Sequence, residues 1–370
     1  MEIKLVEPII NINEIADASR KRIKKLGVSL GLSETSIGNI QQLSTDILEQ
    51  YRDVELDGEC LSVLREVMVE KIDHTIATIA YFEKVLTSIG EPVSIGQDIV
   101  YGVGIYELVM VDFIDSIGEM ESCRSNFRIQ WDLSDRLLES CFVKGSEAPD
   151  NLPGNLVPLV KVLFTLSSKV RELKQTYQTP MVEYTFAHLA AVSQEFTHAF
   201  ALKNARSADY ESLLIVKEGE RHVGDFISYL TTLFVGLKFP EWEPYIIDEI
   251  RKSFWWMGRL SLFLDDLGDI ERDRIAMDHN SATSLYYPIP LEESGDIIEN
   301  YLNHIVSESM ECFKYAIAEV QDEKVRKLLK SMEMIHLALL SYYCLKASYD
   351  PNCRVQTKVL RKVIGKWTSS

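Results

Sequence analysis

The chain of 370 residues has few of the features that mark several large classes of protein. Its six cysteines are scattered without CxxC spacing, which indicates neither a zinc site nor a disulfide framework and is typical of free thiols in a reducing cytoplasm. No block of lysine and arginine stands out against the formal net charge of -17, so we expect no nucleic-acid partner. An anionic ligand would need metal ions or a locally basic pocket.

Long apolar runs and strand patterns are equally scarce. The longest apolar stretch, 99–114, is interrupted by Glu107 and Asp112 and is too short to cross a bilayer, so we expect no transmembrane segment. The N-terminus has early acidic residues and no uninterrupted apolar core, and it therefore does not resemble a secretory signal. Alternation of β-branched with polar residues is rare, which argues against strands. These absences favour a helical protein with a cytoplasmic location.

Helical periodicity is what the sequence does contain. Hydrophobic residues make up 46% of the chain and recur mainly at three- and four-residue spacing. The predicted fold is therefore all-α, a single-domain helical bundle, with N-terminal helices over 1–90, the main helical domain over 91–350 and a basic C-terminal tail over 351–370. The predicted helices include residues 11–28, 61–89, 103–117, 181–204, 207–236, 241–273, 292–320 and 322–348.

The segment 263–273 places carboxylates at helical spacing directly behind an apolar run. Positions four apart drift only about 40° around a helix, so Asp265, Asp269 and Asp273 share one face, whereas Asp266 points about 100° away. A partly buried group of like charges needs a positive partner, and a hard divalent cation such as Mg²⁺ is suited to that position. The pattern therefore predicts either a metal site or a solvated acidic helix end.

A second apolar helix, upstream, also ends in acidic residues. Asp115 and Glu119, with Gly118 between them, repeat the acid-x-aliphatic-Gly-acid pattern of residues 265–269, and Asp112 lies one turn earlier. Glycine inside a helix costs about 1 kcal/mol relative to alanine, so the repeated glycine predicts either room for an anion or hydrated metal, or a fraying helix end. Two such helices could face each other across an apolar cavity, where metal ions would bind a diphosphate.

The acidic run 265–273 resembles the second metal motif of class I terpene cyclases, written (N/D)DxxSxxx(E/D). Asp269 stands where that motif has serine, and Arg272 is the basic residue before the last acid. The following run Asp278-His279-Asn280-Ser281 resembles the segment that trails this motif in bacterial cyclases. The first motif of the family, usually DDxxD, would correspond to residues 115–119, which lack the doubled aspartate. The resemblance covers about residues 95–345.

The resemblance implies a fold, a cofactor and a reaction. Class I isoprenoid synthases are helical bundles with a central active-site cavity, and they bind Mg²⁺, as three ions with the substrate diphosphate, or Mn²⁺ as an alternative. The implied reaction, that of a lyase, ionises farnesyl or geranylgeranyl diphosphate and cyclises the carbocation to a terpene with release of diphosphate. The implied metal ligands are Asp112, Asp115, Glu119, Asp265, Asp269 and Asp273.

The same resemblance implies residues that bind the diphosphate and the hydrocarbon chain. Arg221 lies 44 residues before Asp265, where such cyclases place a diphosphate-sensing arginine; otherwise it is a solvated helix residue. Lys217 lies one turn from it, and Gly224 would be a helix break near the departing diphosphate, which makes these three the implied catalytic residues. The implied substrate-binding residues are Arg272, Arg274, Phe113, Phe226, Trp256 and Tyr286.

Two other functions stay open beside the cyclase. The segment 210–217 resembles the tyrosine-to-lysine spacing of chain-elongating prenyl diphosphate synthases, for which residues 265–269 are also a legitimate second motif. Those enzymes carry paired arginines after a full first motif, where this chain has only Arg124 and Arg128, so the cyclase is favoured. The third alternative is a non-catalytic helical protein with a decayed metal site. The sequence also leaves a homodimer open.

Overall fold

The computed structural model describes residues 11–88, 90, 95–124, 126–142, 147–204, 228–230, 232–239, 242, 244–276, 280, 282, 289–348 and 353–368. Every regular element in these ranges is a helix and none is a strand, which confirms the all-α class. By internal contacts the chain forms two compact units: the first is Met1–Lys84 with Pro92–Tyr177, and the second is Val85–Glu91 with Gln178–Ser370. The domain boundaries predicted at residues 90 and 350 divide the chain differently and stay predictions.

The first unit is a bundle of amphipathic helices. Buried residues of Glu34–Gln50 recur at three- and four-residue spacing, so one face of this helix carries core side chains. That helix packs on Gln97–Glu107, which packs in turn on Leu156–Thr176. The described α-helices that begin in this unit are Ile12–Leu30, Glu34–Gln50, Gly58–Arg65, Ile72–Ser88, Gln97–Glu107, Ile114–Glu119, Glu121–Arg124, Phe127–Phe142 and Leu156–Thr176.

The beginnings of three of these helices follow from capping residues in the sequence. Asn11, Ser33 and Asp57 each accept a hydrogen bond from a backbone N–H in the first turn of the helix that follows. The first helix ends at Gly31, whose φ of 76° lies in the left-handed region that glycine adopts without strain. Local chemistry therefore sets these boundaries.

Two π-helical segments, Glu66–Lys71 and Leu108–Phe113, interrupt the helices of the first unit and contact each other. The sequence predicts unbroken helices through both positions, because hydrophobic spacing of three and four residues does not distinguish one wider turn. π-helical turns are rare and often occur at functional sites. Their side chains are described with the candidate site below.

The second unit is organised around the long helix Pro244–Ala276, which packs against Gly295–Glu319 and Glu323–Ser348. The predicted basic tail contains a further helix, Arg354–Thr368, with Val359 and Val363 buried in the same core. The remaining described elements of this unit are the α-helix Pro180–Asn204, the 3-10 turn Leu291–Glu293 and helical residues 228–230 and 232–238.

The prediction on membrane segments can be checked only for the described helices. None of these combines the length and the apolar composition that crossing a lipid bilayer requires.

Candidate metal and diphosphate site

The second acidic motif lies on one uninterrupted helix. Pro244–Ala276 contains residues 265, 269 and 273 without a break, so its backbone has the helical spacing that puts these positions on one face. Leu264 and Leu267 are buried in the core of the second unit, and this burial fixes the rotation of the helix. Asp265 and Asp269 are then half-buried at the edge of that core.

Asp266 is more buried than Asp265 and Asp269, with 9% of its surface exposed. Its backbone carbonyl accepts a hydrogen bond from Nδ2 of Asn280 at 2.6 Å. Asn280 belongs to the run that trails the acidic motif in the sequence, and this bond connects Asn280 itself to the motif helix. The side chains of residues 271–276, and with them Arg272, Asp273 and Arg274, lie outside what the structure describes.

The two glycines that precede the second acid have different surroundings. Among the described residues, a Cβ on Gly268 would meet no atom within 4 Å other than its own helix backbone, so the space beside the second motif is open there. A Cβ on Gly118 would lie 2.5 Å from Nε2 of the buried Gln130, which donates a hydrogen bond to the carbonyl of Ile114 at 3.1 Å. The prediction that Gly118 leaves room for a metal or an anion is therefore wrong, because the amide of Gln130 occupies the space beside this glycine.

In the first acidic motif, Asp115 forms an ion pair with a lysine. Nζ of Lys71 lies 2.8 Å from Oδ2 of Asp115 and 3.1 Å from Oε1 of Glu66. Desolvation opposes the charge of this largely buried ammonium group, but the charges of Asp115 and Glu66 outweigh it and raise the pKa of Lys71. Lys71 is therefore a fixed cation that bridges two carboxylates. Glu119, the last acid of the motif, is exposed.

Asp112, one turn earlier, is paired with a histidine. Its side chain is 1% exposed, and its Oδ1 lies 2.9 Å from Nδ1 of His74. Desolvation lowers the pKa of His74, but the hydrogen bond and the charge of Asp112 outweigh it and raise that pKa to about 9. The imidazole is therefore positively charged at neutral pH, and this charge neutralises the buried carboxylate.

The two pairs belong to a polar ladder between antiparallel segments. From Lys71 through His74 to Thr78, the partners on the facing segment run backwards, from Asp115 to Asp112 and then to Glu107. Oε1 of Glu107 accepts a hydrogen bond from the Thr78 hydroxyl at 3.0 Å. Burial, and after it the charge of Asp112, raise the pKa of Glu107 to about 7. Among the described residues, the buried Oδ2 of Asp112 in this ladder has no hydrogen-bond partner.

The first motif does not fit a magnesium ion. Mg²⁺ requires near-octahedral oxygen ligands, and two of the predicted ligands, Asp112 and Asp115, already face protein cations. Two unit charges roughly 4 Å apart interact by about 4 kcal/mol at an effective dielectric constant of about 20, and a divalent ion beside Lys71 would double that repulsion. Within the part of the chain that the structure describes, no three His, Cys, Asp or Glu side chains converge as a metal site.

The predicted aromatic residues have different environments. Phe113 is fully buried in the first unit. Trp256, on the motif helix of the second unit, is half-buried, and the guanidinium of Arg259 lies 5.3 Å from its ring centroid and 4.9 Å from that of Trp255. Such contacts stabilise a cation by about 0.5–2 kcal/mol, so these rings are already engaged with a positive charge. The predicted residues Lys217, Arg221, Gly224, Phe226 and Tyr286 lie outside the described residues.

An open pocket of about 510 Å³ lies on the first unit and contains neither acidic motif. Four of its polar side chains form two pairs: the hydroxyl of Tyr177 donates to Asp98, and Lys169 pairs with Glu172 at 2.9 Å. The predicted central cavity is a different feature and stays a prediction.

Sequence reasoning missed the cations of the polar ladder. Lys71 and His74 lie within a helix predicted from its apolar spacing, and charged residues on such a helix are the signal that could have found them. No protein-family model matches the chain, and a search of curated proteins returns no match. The interpretation of the site therefore depends on its residues and their contacts.

Proposed function

We propose that the chain is a class I isoprenoid enzyme that ionises an allylic prenyl diphosphate, farnesyl or geranylgeranyl diphosphate, and cyclises the product to a terpene. The observation that carries this proposal is the helix Pro244–Ala276, which brings Asp265 and Asp269 one turn apart on a half-buried face behind an apolar core. Carboxylates one turn apart on a partly buried helix face are oxygen ligands of the kind that bind Mg²⁺ together with a diphosphate.

The roles of the residues follow from the charge that develops as the diphosphate departs. Asp265, Asp269 and Asp273 would hold Mg²⁺, which when bound supplies positive charge to the diphosphate. Lys217 and Arg221 would bind phosphate oxygens directly. The open space beside Gly268 is compatible with a large anion at this face. Apolar and aromatic side chains would exclude water, because water would quench a carbocation.

The decisive experiment is incubation of the purified protein with Mg²⁺ and each of the two diphosphates, followed by mass spectrometry of the products. A hydrocarbon or terpene alcohol is the expected product. Asp265→Asn should abolish its formation with the helical circular dichroism unchanged. The matched control is Asp296→Asn, at an exposed position of the same unit, which should keep full activity.

Two other outcomes would replace the cyclase. A longer diphosphate formed only when isopentenyl diphosphate is added would establish a chain-elongating synthase. Absence of turnover under all these conditions would contradict both enzymes and leave a non-catalytic helical protein. One observation favours that last alternative: Asp112 and Asp115 of the first motif are neutralised by His74 and Lys71.

A further inference from the structure

The cations of the first unit occupy the positions at which a metal ion would neutralise the first acidic motif. Lys71 bridges Asp115 and Glu66, at 2.8 Å and 3.1 Å, and so contacts two carboxylates as a bound ion would. His74 contacts Oδ1 of Asp112 at 2.9 Å. Both cations come from one stretch of chain, three residues apart, and both acids come from the facing stretch, also three residues apart.

We propose that Lys71 and His74 replace the metal ion of the first acidic motif, so that Asp112 and Asp115 hold protein cations and this motif binds no divalent metal. The inference refines the proposed function, because it assigns the divalent metal to the second motif alone and so predicts fewer than three ions per chain. It is carried by contacts within the first unit and holds equally for a non-catalytic protein.

Three features of the structure support this assignment beyond the ion pairs themselves. The register of the two segments is antiparallel, so both pairs form in one arrangement of the backbone. The amide of Gln130 fills the space at Gly118, which leaves no room for a hydrated ion on that side of the motif. The side chain of Lys71 is 17% exposed, and burial at this level disfavours its displacement by a metal because the freed ammonium would lose both carboxylates.

The buried Oδ2 of Asp112 has no hydrogen-bond partner among the described residues, so a metal could contact this atom without breaking an ion pair. A single carboxylate oxygen is a weak site for Mg²⁺, which is usually bound through one or two carboxylates together with substrate phosphates. The test must therefore include a diphosphate as well as the metal, because phosphate oxygens would strengthen the binding of a metal at Oδ2 of Asp112.

The number of bound ions provides the first test. Mn²⁺ bound to the full chain is counted from the loss of the free-ion electron paramagnetic resonance signal, with and without inorganic diphosphate. We expect the double variant Asp112→Asn/Asp115→Asn to bind as many ions as the unmodified protein, and the comparison variant Asp265→Asn/Asp269→Asn to bind fewer. Fewer ions in Asp112→Asn/Asp115→Asn, with its helical circular dichroism intact, would overturn the inference and leave the proposed function standing.

Failure of the proposed function gives a different result in the same experiment. If the unmodified protein binds no Mn²⁺ with or without diphosphate, the first motif is closed to metal as inferred, but the metal role of Asp265 and Asp269 is wrong. The two proposals are therefore tested separately by one set of measurements.

A second measurement uses the unmodified protein, and it applies even if the double variant does not fold. The ring signals of His74 in nuclear magnetic resonance spectra, assigned with His74→Gln, should not shift when Mg²⁺ and inorganic diphosphate are added. A shift that saturates with Mg²⁺ and persists in Asp265→Asn/Asp269→Asn would show an ion at Asp112 and overturn the inference.

Discussion

The carboxylate of Glu83 accepts hydrogen bonds from the backbone N–H of Ser33 at 2.8 Å and from the Ser33 hydroxyl at 2.7 Å. The hydroxyl of Ser36 donates to the same carboxylate. Ser33 is the N-cap of the helix Glu34–Gln50, so Glu83, a buried acid from a distant part of the chain, contributes to the capping of this helix. A negative charge at that end also complements the helix dipole.

Glu83→Gln should destabilise the first unit by about 1–3 kcal/mol, because the amide accepts fewer hydrogen bonds and carries no charge. The loss should be concentrated at the beginning of Glu34–Gln50, where amide hydrogen exchange measured by mass spectrometry would accelerate. Glu34→Gln, an exposed change in the same helical turn, is the control and should alter exchange little. Equal effects of the two variants would contradict the capping role of Glu83.

Lys71→Met should destabilise the protein by about 2 kcal/mol, between the values for exposed and fully buried ion pairs, because Asp115 and Glu66 lose their shared cation. Thermal unfolding would measure this loss. In the background of Asp115→Asn the same substitution should cost less, since part of the interaction is already gone. Arg65→Met, which breaks an exposed pair with Glu70, is the control and should cost at most about 0.5 kcal/mol.

The helices were predictable from the sequence because their signals are local. Capping residues such as Ser33 and the apolar spacing of Glu34–Gln50 act within one or two turns, and the predicted all-α class is confirmed. The π-helical segments were not predictable, because hydrophobic spacing of three and four residues does not distinguish one wider turn. Glu83 shows the same limit, since its partner Ser33 lies 50 residues away in the sequence.

The relative positions of the candidate site residues were predictable only where these residues lie on one helix. The spacing of Asp265 and Asp269 defines their shared face without further information. The partners of Asp112 and Asp115 come from another helix, so sequence spacing gave no indication that His74 and Lys71 would neutralise them. A carboxylate pattern in a sequence indicates a need for positive charge, but tertiary packing decides whether a metal or a side chain supplies it.

The stability of the first unit should fall as the pH rises from 6.5 to 9. In the unfolded chain His74 loses its proton near pH 6.5, whereas beside Asp112 in the folded protein it keeps that proton to about pH 9. The folded state therefore binds more protons across this interval, and the free energy of unfolding decreases as the pH rises through it. The stabilisation that His74 contributes is fully present only below pH 6.5. Because the ring is 60% exposed, solvent screening limits the expected loss to the order of 1 kcal/mol.

Denaturant unfolding at several pH values would measure this dependence, and His74→Gln should flatten it. The groups that face His74 are Lys71, Glu107 and Asp112, of which Glu107 titrates lower, near pH 7. His304→Gln, at an exposed histidine of the second unit, is the matched control and should retain the full slope. A slope that survives in His74→Gln would mean that another group causes it.

The two glycines of the acid-Gly-acid patterns should respond oppositely to alanine. Gly118→Ala should destabilise the protein by about 1–3 kcal/mol, because the new Cβ displaces the amide of Gln130 from its bond to Ile114. Gly268→Ala should stabilise it by up to about 1 kcal/mol, because alanine is the better helix former and no atom lies in its way. Thermal unfolding of the two variants would test this difference.

The Gly268 variant also separates stability from function. If the open space beside Gly268 accommodates the diphosphate, Gly268→Ala should lower Mg²⁺-dependent turnover although the protein becomes more stable, because a methyl group would then narrow the approach to Asp265 and Asp269. Gly268→Ser, whose side chain is larger, should narrow the space at least as much, with a smaller gain in helix stability. Unchanged turnover in a stabilised Gly268→Ala protein would place the diphosphate away from this face of the helix.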